Sequence, residues 1–280
     1  MNQQIKTLAI WGLGREGKAV FDQRKELFPS LEKLLLIDES TQELPSEWVK
    51  NNTATAKTQI QIQVHEPHIL ESTKIDLLIR SAGVSPYKKE IQQFKKNGNT
   101  VKSVSTLWFE QQAKSNLKTV CITGTKGKST TSKLVWHLLN QMGINAVLGG
   151  NIGVPLLELP TNADWYIIEM SSYQSSDFEG CPDLGVVLNL FEDHTSWHGS
   201  VQQYHKDKLN LLNQSSQGLI GHQVSTHPAY TTSSATTQPV EIVKNVTSWQ
   251  SEITNNELTN LKRLKHGGTC SKITNLYPIA

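Results

Sequence analysis

Thr119-Val120-Cys121-Ile122-Thr123-Gly124-Thr125-Lys126-Gly127-Lys128-Ser129-Thr130 decides the fold. An apolar run of strand type ends in a Gly-rich turn. The turn opens into residues 129–142, whose spacing predicts an amphipathic helix stopped by Gly143. Strand, phosphate-type loop and helix together form the repeating unit of a parallel α/β sheet. In such a loop backbone N–H groups wrap phosphate oxygens, and Lys128 neutralises the β- and γ-phosphate charge. A hydroxyl of Ser129 or Thr130 can ligate Mg²⁺. The spacing departs from the common pattern, because Gly124 lies three residues before Gly127 and not five. A bare G-K-S-T arises often by chance; one held between an apolar strand and an amphipathic helix does not. Gly124, Thr125, Lys126, Gly127, Lys128, Ser129 and Thr130 are therefore the candidate ATP-binding residues.

Working outward, the α/β alternation continues on both sides. Downstream, Trp165-Tyr166-Ile167-Ile168 and Gly185-Val186-Val187-Leu188-Asn189 read as buried strands. Upstream, Thr7-Leu8-Ala9-Ile10-Trp11 is a strand closed by Gly12, followed by helical spacing over 14–28 that stops at Pro29. Leu34-Leu35-Leu36-Ile37 is a second strand ending at Asp38, and 75–79 is a third ending in Ser81-Ala82-Gly83. Residues 87–96 look helical. The pattern resets around 101–118, where Leu107-Trp108-Phe109 begins a short amphipathic helix. The expectation is a Rossmann-like parallel-sheet domain over 1–104 and a phosphate-loop domain over 105–280. From about Ser215 the character turns polar, with a low-complexity run over 231–238, although Val240-Glu241-Ile242-Val243 keeps a strand-like pattern.

Gly12-Leu13-Gly14-Arg15-Glu16-Gly17 is a second Gly-rich turn, G-x-G-x-x-G directly between a strand and a helix. Its glycines permit a tight turn and close backbone approach, and the helix N-terminus can hold a diphosphate. The motif alone suggests a dinucleotide such as NAD; the plainer alternative is that the glycines only let strand and helix pack closely. A triphosphate loop in the same chain speaks against a dehydrogenase. Two nucleotide sites suit a ligase that spends ATP on a nucleotide-tagged substrate.

Composition narrows the classes further. The 280 residues suit about two domains. The 27 Lys+Arg against 25 Asp+Glu leave a net charge of +2, so a generally basic nucleic-acid surface is not supported. No run of about 18 apolar residues predicts a membrane span. The three cysteines are far apart and odd in number, which favours a reducing cytosol over a disulfide framework. No obligate protein partner is evident.

Four segments in order carry a family resemblance: the loop Gly124 to Thr130, then Gly149-Gly150-Asn151-Ile152-Gly153, then Glu169-Met170-Ser171-Ser172-Tyr173-Gln174. The fourth runs from Asn189-Leu190-Phe191-Glu192-Asp193-His194 through Trp197-His198-Gly199-Ser200 to Tyr204 and Lys208. Together they resemble the Mur ligases. The S-S-Y-Q form, with a Rossmann-like first domain, resembles the branch that joins glutamate to UDP-N-acetylmuramoyl-L-alanine in peptidoglycan precursor synthesis. The resemblance covers roughly residues 5–212. It implies transfer of the ATP γ-phosphoryl to the alanyl carboxylate, followed by attack of the glutamate amine on the acyl-phosphate.

The resemblance also implies roles. Lys128 stabilises the γ-phosphoryl, and Ser129 and Glu169 hold Mg²⁺. His194 faces a second Mg²⁺, and Lys208 becomes a carbamate and so an anionic ligand. Asn151 and Ser171 contact substrate. Gly14, Arg15, Asp38, Glu39 and Ser40 hold the uridine diphosphate, with Ser81-Ala82-Gly83 closing over it. His198 and His205 read as satisfied loop histidines. Lys126 stands where many relatives have Asn; the form resembles a branch that uses L-glutamate, whereas D-glutamate is the default. Ala82 stands where many have Pro. The resemblance implies a third domain that this chain lacks, so impaired turnover is expected. A non-catalytic nucleotide-binding module is the alternative.

Overall fold

The computed structural model describes residues 4–40, 43, 48, 60–113, 115, 117–231 and 240–243. All of the low-complexity run over 231–238 but its first residue, and the tail beyond 243, lie outside these residues. The first sheet is built from β1 (Thr7–Trp11), α1 (Arg15–Leu27), β2 (Lys33–Ile37), β3 (Gln61–His65), α2 (Ile69–Ser72), β4 (Leu77–Arg80), α3 (Lys89–Lys96) and β5 (Val101–Ser103). Its five strands are parallel in the order β3-β2-β1-β4-β5. The order reverses between β1 and β4, so the loops leaving their carboxyl ends open a crevice there.

After α4 (Val104–Gln112) a second parallel sheet follows. It contains β6 (Lys118–Thr123), α5 (Lys128–Gln141), β7 (Ala146–Gly150), β8 (Trp165–Glu169), α6 (Ser172–Ser175) and β9 (Leu184–Val187). It continues with α7 (Thr195–His198), α8 (Val201–Gln214), β10 (Gln217–Gly221), α9 (His222–Ser225), α10 (Pro228–Thr231) and β11 (Val240–Val243). The strand order is β11-β10-β9-β6-β8-β7. β6 therefore lies between β8 and β9, and the segments leaving all three strands meet above it.

The differences from the sequence reading have local causes. The strand expected over 75–79 starts at Leu77 and runs to Arg80. Asp76 is drawn out of it because its carboxylate accepts the backbone N–H of Lys6 (2.9 Å) and Thr7 (2.8 Å). The helix expected from Tyr87 starts at Lys89, since the Tyr87 hydroxyl reaches across to Asp207 at 2.6 Å. The strand expected over 185–189 ends at Val187, and Asn189 turns away to the phosphate loop. Periodicity missed β3 because it is a half-covered edge strand. It also missed α8, which begins at an N-cap where Ser200 Oγ accepts the Gln203 N–H at 3.0 Å.

One hydrophobic core runs through both sheets. Phe21 of α1 and Trp108 and Phe109 of α4 share it with Tyr166 of β8 and with Phe178. Ring centres lie 5.5 Å apart for Trp108–Tyr166 and 5.0 Å apart for Phe109–Phe178. Such rings carry large apolar area, and α4 is the wedge that joins the sheets. Cys121 is a buried free thiol in β6, with its pKa pushed upward by burial. Among the described residues no helix is long and apolar enough to cross a membrane.

Candidate functional site

The phosphate loop leaves β6 at Thr123 and enters α5 at Lys128. Gly127 sits at φ +83°, a left-handed position that a side chain would strain. The turn aims the N-terminus of α5 at the space above β6, where an anion is favoured. Two amines converge on one carbonyl there. Lys128 Nζ donates to Gly124 O at 3.0 Å and Lys208 Nζ donates to the same oxygen at 2.9 Å. Lys208 is 1% exposed, and burial followed by the neighbouring Lys128 charge pushes its pKa down to about 7. Burial also lowers the pKa of Lys128, against the pull of Glu169 and Asp193. The pair is poised to lose a proton at Lys208 and to receive anionic charge.

Glu169 ends β8 and is 1% exposed. Its Oε1 accepts from Asn151 Nδ2 at 2.7 Å, and Asn151 N–H donates to Glu169 O at 2.9 Å. Its Oε2 is buried with no hydrogen-bond partner among the described residues. A buried carboxylate oxygen with no donor is costly, and a cation would satisfy it. Among the described residues no cluster of three His, Cys, Asp or Glu is arranged to hold a metal by itself. Mg²⁺ takes one or two carboxylates and completes its shell with phosphate oxygens and water. Glu169 and the hydroxyl of Ser129 at the start of α5 are groups that could hold it.

Asn189, which the sequence names only as part of a motif, braces the phosphate loop. Its Oδ1 accepts the Lys126 N–H at 2.9 Å and its Nδ2 donates to Lys126 O at 3.0 Å, copying a strand pairing with one side chain. Thr125 Oγ1 accepts the Phe191 N–H at 2.9 Å and the Tyr204 hydroxyl at 3.0 Å. The loop is thus held from outside. Asn189→Ala is expected to cost about 1–2 kcal/mol locally and to speed amide exchange at Lys126 by roughly tenfold, read by hydrogen–deuterium exchange.

His194 precedes α7 at φ +49°, the one non-glycine with positive φ among the described residues. Such strain clusters at sites of function. Its Nδ1 lies 3.2 Å from the Tyr173 hydroxyl, and half of the side chain is exposed. Its neighbour Asp193 acts electrostatically on both lysines and was not singled out by the sequence. His198 is a satisfied histidine as expected, placed at the end of α7. Its Nδ1 lies 2.5 Å from Asp207 Oδ2 and its Nε2 lies 3.0 Å from Ser172 Oγ, all three residues being buried. Asp207 Oδ1 also accepts from Tyr87 (2.6 Å) and Gln203 (2.7 Å), so the network crosses to the first sheet. His205 is buried beside Phe191 O at 3.3 Å, and burial lowers its pKa.

At the first sheet, a Cβ on Gly17 would collide with the Gly12 carbonyl, so only glycine lets α1 approach β1 this closely. Gly14 is the N-cap of α1 with open space beside it, and Arg15 Nη1 reaches Gly153 O at 3.5 Å. A cavity of about 680 Å³ lies at the crevice, lined by Trp11, Gly12, Asp38, Gly83, Lys88 and Trp197 among others. Asp38 Oδ1 is engaged by Ser40 N–H at 2.8 Å, and Glu39 pairs with Lys88 at 2.8 Å. Trp197 Nε1 donates to Gly83 O at 3.1 Å, so the second sheet supplies a wall of this cavity. Lys88, 5.9 Å from the Trp11 ring centre, adds a cation to it. Lys88 and Trp197 have no local signal as pocket residues; only the packing of the sheets brings them there. Ser171 caps α6 rather than lining this cavity, its Oγ accepting the Gln174 N–H at 3.1 Å.

Arg80 closes the seam between the sheets and is fully buried. Its Nε donates to Asp177 Oδ2 at 2.6 Å and its Nη2 to Asp177 Oδ1. It also donates to the carbonyls of Ser81 (3.2 Å), Val84 (2.9 Å) and Tyr173 (3.0 Å) and to Ser176 Oγ (3.1 Å).

Known proteins share these features. The chain is 38% identical over 215 residues to a UDP-N-acetylmuramoyl-L-alanine–L-glutamate ligase of a Micromonospora species, a match covering 77% of this chain and 45% of that protein. It is 35% identical over 217 residues to the protein of the same name from Xanthomonas euvesicatoria, covering 74% and 44%. The chain thus spans less than half the length of the curated relatives it matches. Among solved structures, a UDP-N-acetylmuramate:L-alanyl-γ-D-glutamyl-meso-diaminopimelate ligase from Neisseria meningitides matches with a TM-score of 0.49 at 18% identity, over 85% of this chain and 78% of that one. The family model described as the Mur ligase middle domain matches residues 122–274. That span is more than half of the chain and holds the phosphate loop, Glu169 and Lys208 together, so the chain belongs to the Mur ligase family.

Proposed function

We propose that the chain serves the ATP-dependent joining of L-glutamate to UDP-N-acetylmuramoyl-L-alanine. The observation that carries this reading is the meeting of Lys128 from the phosphate loop, Lys208 from α8 and the Glu169 oxygen that has no partner among the described residues, in a chain that also has a crevice at the first sheet. A carboxylate is a poor acyl donor. Phosphorylating it with the γ-phosphoryl of ATP creates a phosphate leaving group, and the glutamate amine then attacks the acyl carbon, expels phosphate and releases a proton. The first step brings two anions together, which needs cationic charge between them. Mg²⁺, when bound, supplies part of that charge.

This chain's own groups supply the rest. Lys128 meets the γ-phosphoryl. The neutral Lys208 amine adds to CO₂ with loss of one proton, giving a carbamate whose oxygens can join Glu169, Ser129 and His194 around the metal. Its pKa of about 7 keeps the reactive neutral amine populated at physiological pH. Gly14, Arg15, Asp38, Glu39 and Gly83 frame the uridine diphosphate, with Lys88 added, while Asn151 and Ser171 face the muramoyl end. The division near residue 104 and a cytosolic location, where both nucleotides are made, belong to the same reading. The names of the curated relatives support L- over D-glutamate.

Titration calorimetry with a non-hydrolysable Mg-ATP analogue and with UDP-N-acetylmuramoyl-L-alanine tests it. Both are expected to bind, and Lys128→Ala should weaken the ATP analogue by roughly 10–100-fold without moving the second ligand. Any phosphate release is expected to be slow, to require glutamate and to favour the L form. Binding with no phosphate release would assign the chain to a nucleotide-binding module, and no binding of either ligand would sink the reading.

A further inference from the structure

We propose that Glu16 is a positioning residue that sets the Glu169-to-Gln174 turn against the first Gly-rich turn. The functional part rests on the ATP-binding reading above; the structural part rests on one chain of hydrogen bonds. Glu16 lies in the first turn of α1, where a negative charge is favoured. Its Oε2 accepts the Ala82 N–H at 2.6 Å and its Oε1 accepts Gln174 Nε2–H at 2.7 Å. Gln174 is 3% exposed, and its own Oε1 accepts the Ser171 N–H at 3.0 Å. Glu16 therefore touches three segments at once: the 12–17 turn, the 81–83 loop and the E-M-S-S-Y-Q segment.

The chain has a fixed direction. Its two ends are the backbone N–H groups of Ala82 and Ser171, which can only donate. Two side chains bridge them, so each must present an acceptor outward and only one donor can lie between them. Glu followed by Gln meets this condition. Two glutamines would face donor to donor, and two glutamates would face charge to charge. The carboxylate at 16 thereby dictates which way the Gln174 amide points. That amide holds Ser171, two residues beyond Glu169, whose backbone and carboxylate are both held by Asn151. Among the described residues Glu16 makes no hydrogen bond to the 124–130 loop. Any effect on ATP must pass through the turn it holds.

The polarity argument supplies its own rescue, because Gln at 16 with Glu at 174 satisfies every donor again. The full chain is compared as Glu16→Gln, Gln174→Glu and the double substitution, by thermal unfolding and by calorimetry with the Mg-ATP analogue. Each single change is expected to lower Tm, and the double change to recover most of the loss. Glu16→Gln should weaken the ATP analogue by about fivefold, with the double variant within about twofold of the unaltered chain. A purely structural role would move Tm and leave the affinity of the folded protein alone. Additive losses in the double variant, or an unmoved affinity in Glu16→Gln, would overturn the proposal. If the unaltered chain binds no nucleotide, the ligase reading fails instead, and the thermal cycle alone decides the Glu16–Gln174 coupling.

Discussion

Arg80→Met is expected to destabilise the folded chain by roughly 3–5 kcal/mol, the range for removing one partner of a buried ion pair. Arg80 is fully buried, and all three guanidinium nitrogens are used, on one carboxylate, three carbonyls and one hydroxyl. Methionine fills much of the volume and serves none of these acceptors. The largest cost falls on Asp177, whose side chain is only 14% exposed and would keep its charge without a partner. Asp177→Asn should cost somewhat less, about 3 kcal/mol at the low end of the same range, because it leaves the buried Arg80 charge without its counter-ion but keeps one acceptor beside the four neighbouring oxygens that the guanidinium already reaches. Urea unfolding of the two variants checks both the size and the rank order. A loss below about 1 kcal/mol in Arg80→Met would mean that water reaches the seam and that Arg80 does not hold the sheets together.

Lys208→Met is expected to have the opposite sign and to make the chain more stable at low pH. The folded protein holds Lys208 near 7, against an ordinary value of 10.5, chiefly through burial. Between these values the unfolded chain binds a proton at this side chain that the folded chain does not, so wild-type stability rises with pH from about 7 to 10.5. Below 7 both states carry the charge and the folded state bears the whole penalty. Replacing a buried charge by an apolar group of similar size gains about 1–4 kcal/mol, so the variant should lead by that much at pH 6. The lead should shrink toward zero by pH 10. Denaturant midpoints measured across that range test it; a constant difference at all pH values would show that Lys208 does not titrate as its burial requires. The same substitution removes the amine that the proposed reaction needs. An unfavourable buried group at the centre of a site is the pattern expected where function is kept at the expense of stability.

Much of the framework was legible from local pattern. β1 and β2 are continuous apolar runs, as strands covered on both faces should be, and the helices after the two Gly-rich turns have clear 3.6-residue spacing. β3 and β7 were not legible, because edge strands are partly uncovered and carry mixed side chains. In the site, Lys128, Glu169 and Asn151 could be named because they sit in segments whose order is distinctive. Lys88, Arg80 and Glu16 could not, since a lysine before a helix, an arginine ending a strand and a glutamate opening a helix are ordinary locally. Their partners lie 49, 97 and 158 residues away.

The sequence by itself determined the local units: apolar runs make strands, and Gly124, Gly127 and Gly17 permit turns that aim a helix end at an anion. These outcomes depend on neighbours a few residues apart, whose sterics and periodicity are written in the chain. Only the tertiary structure decided which strand ends meet and which charges lose their water. Strand order brings β6, β8 and β9 together, so that Lys208 is desolvated beside Lys128 and one oxygen of Glu169 is left without a donor. Desolvation and charge proximity depend on position in space and not on separation along the chain. The same sequence of residues therefore states the chemistry available, and the packing of the two sheets sets the protonation and geometry in which it can be used.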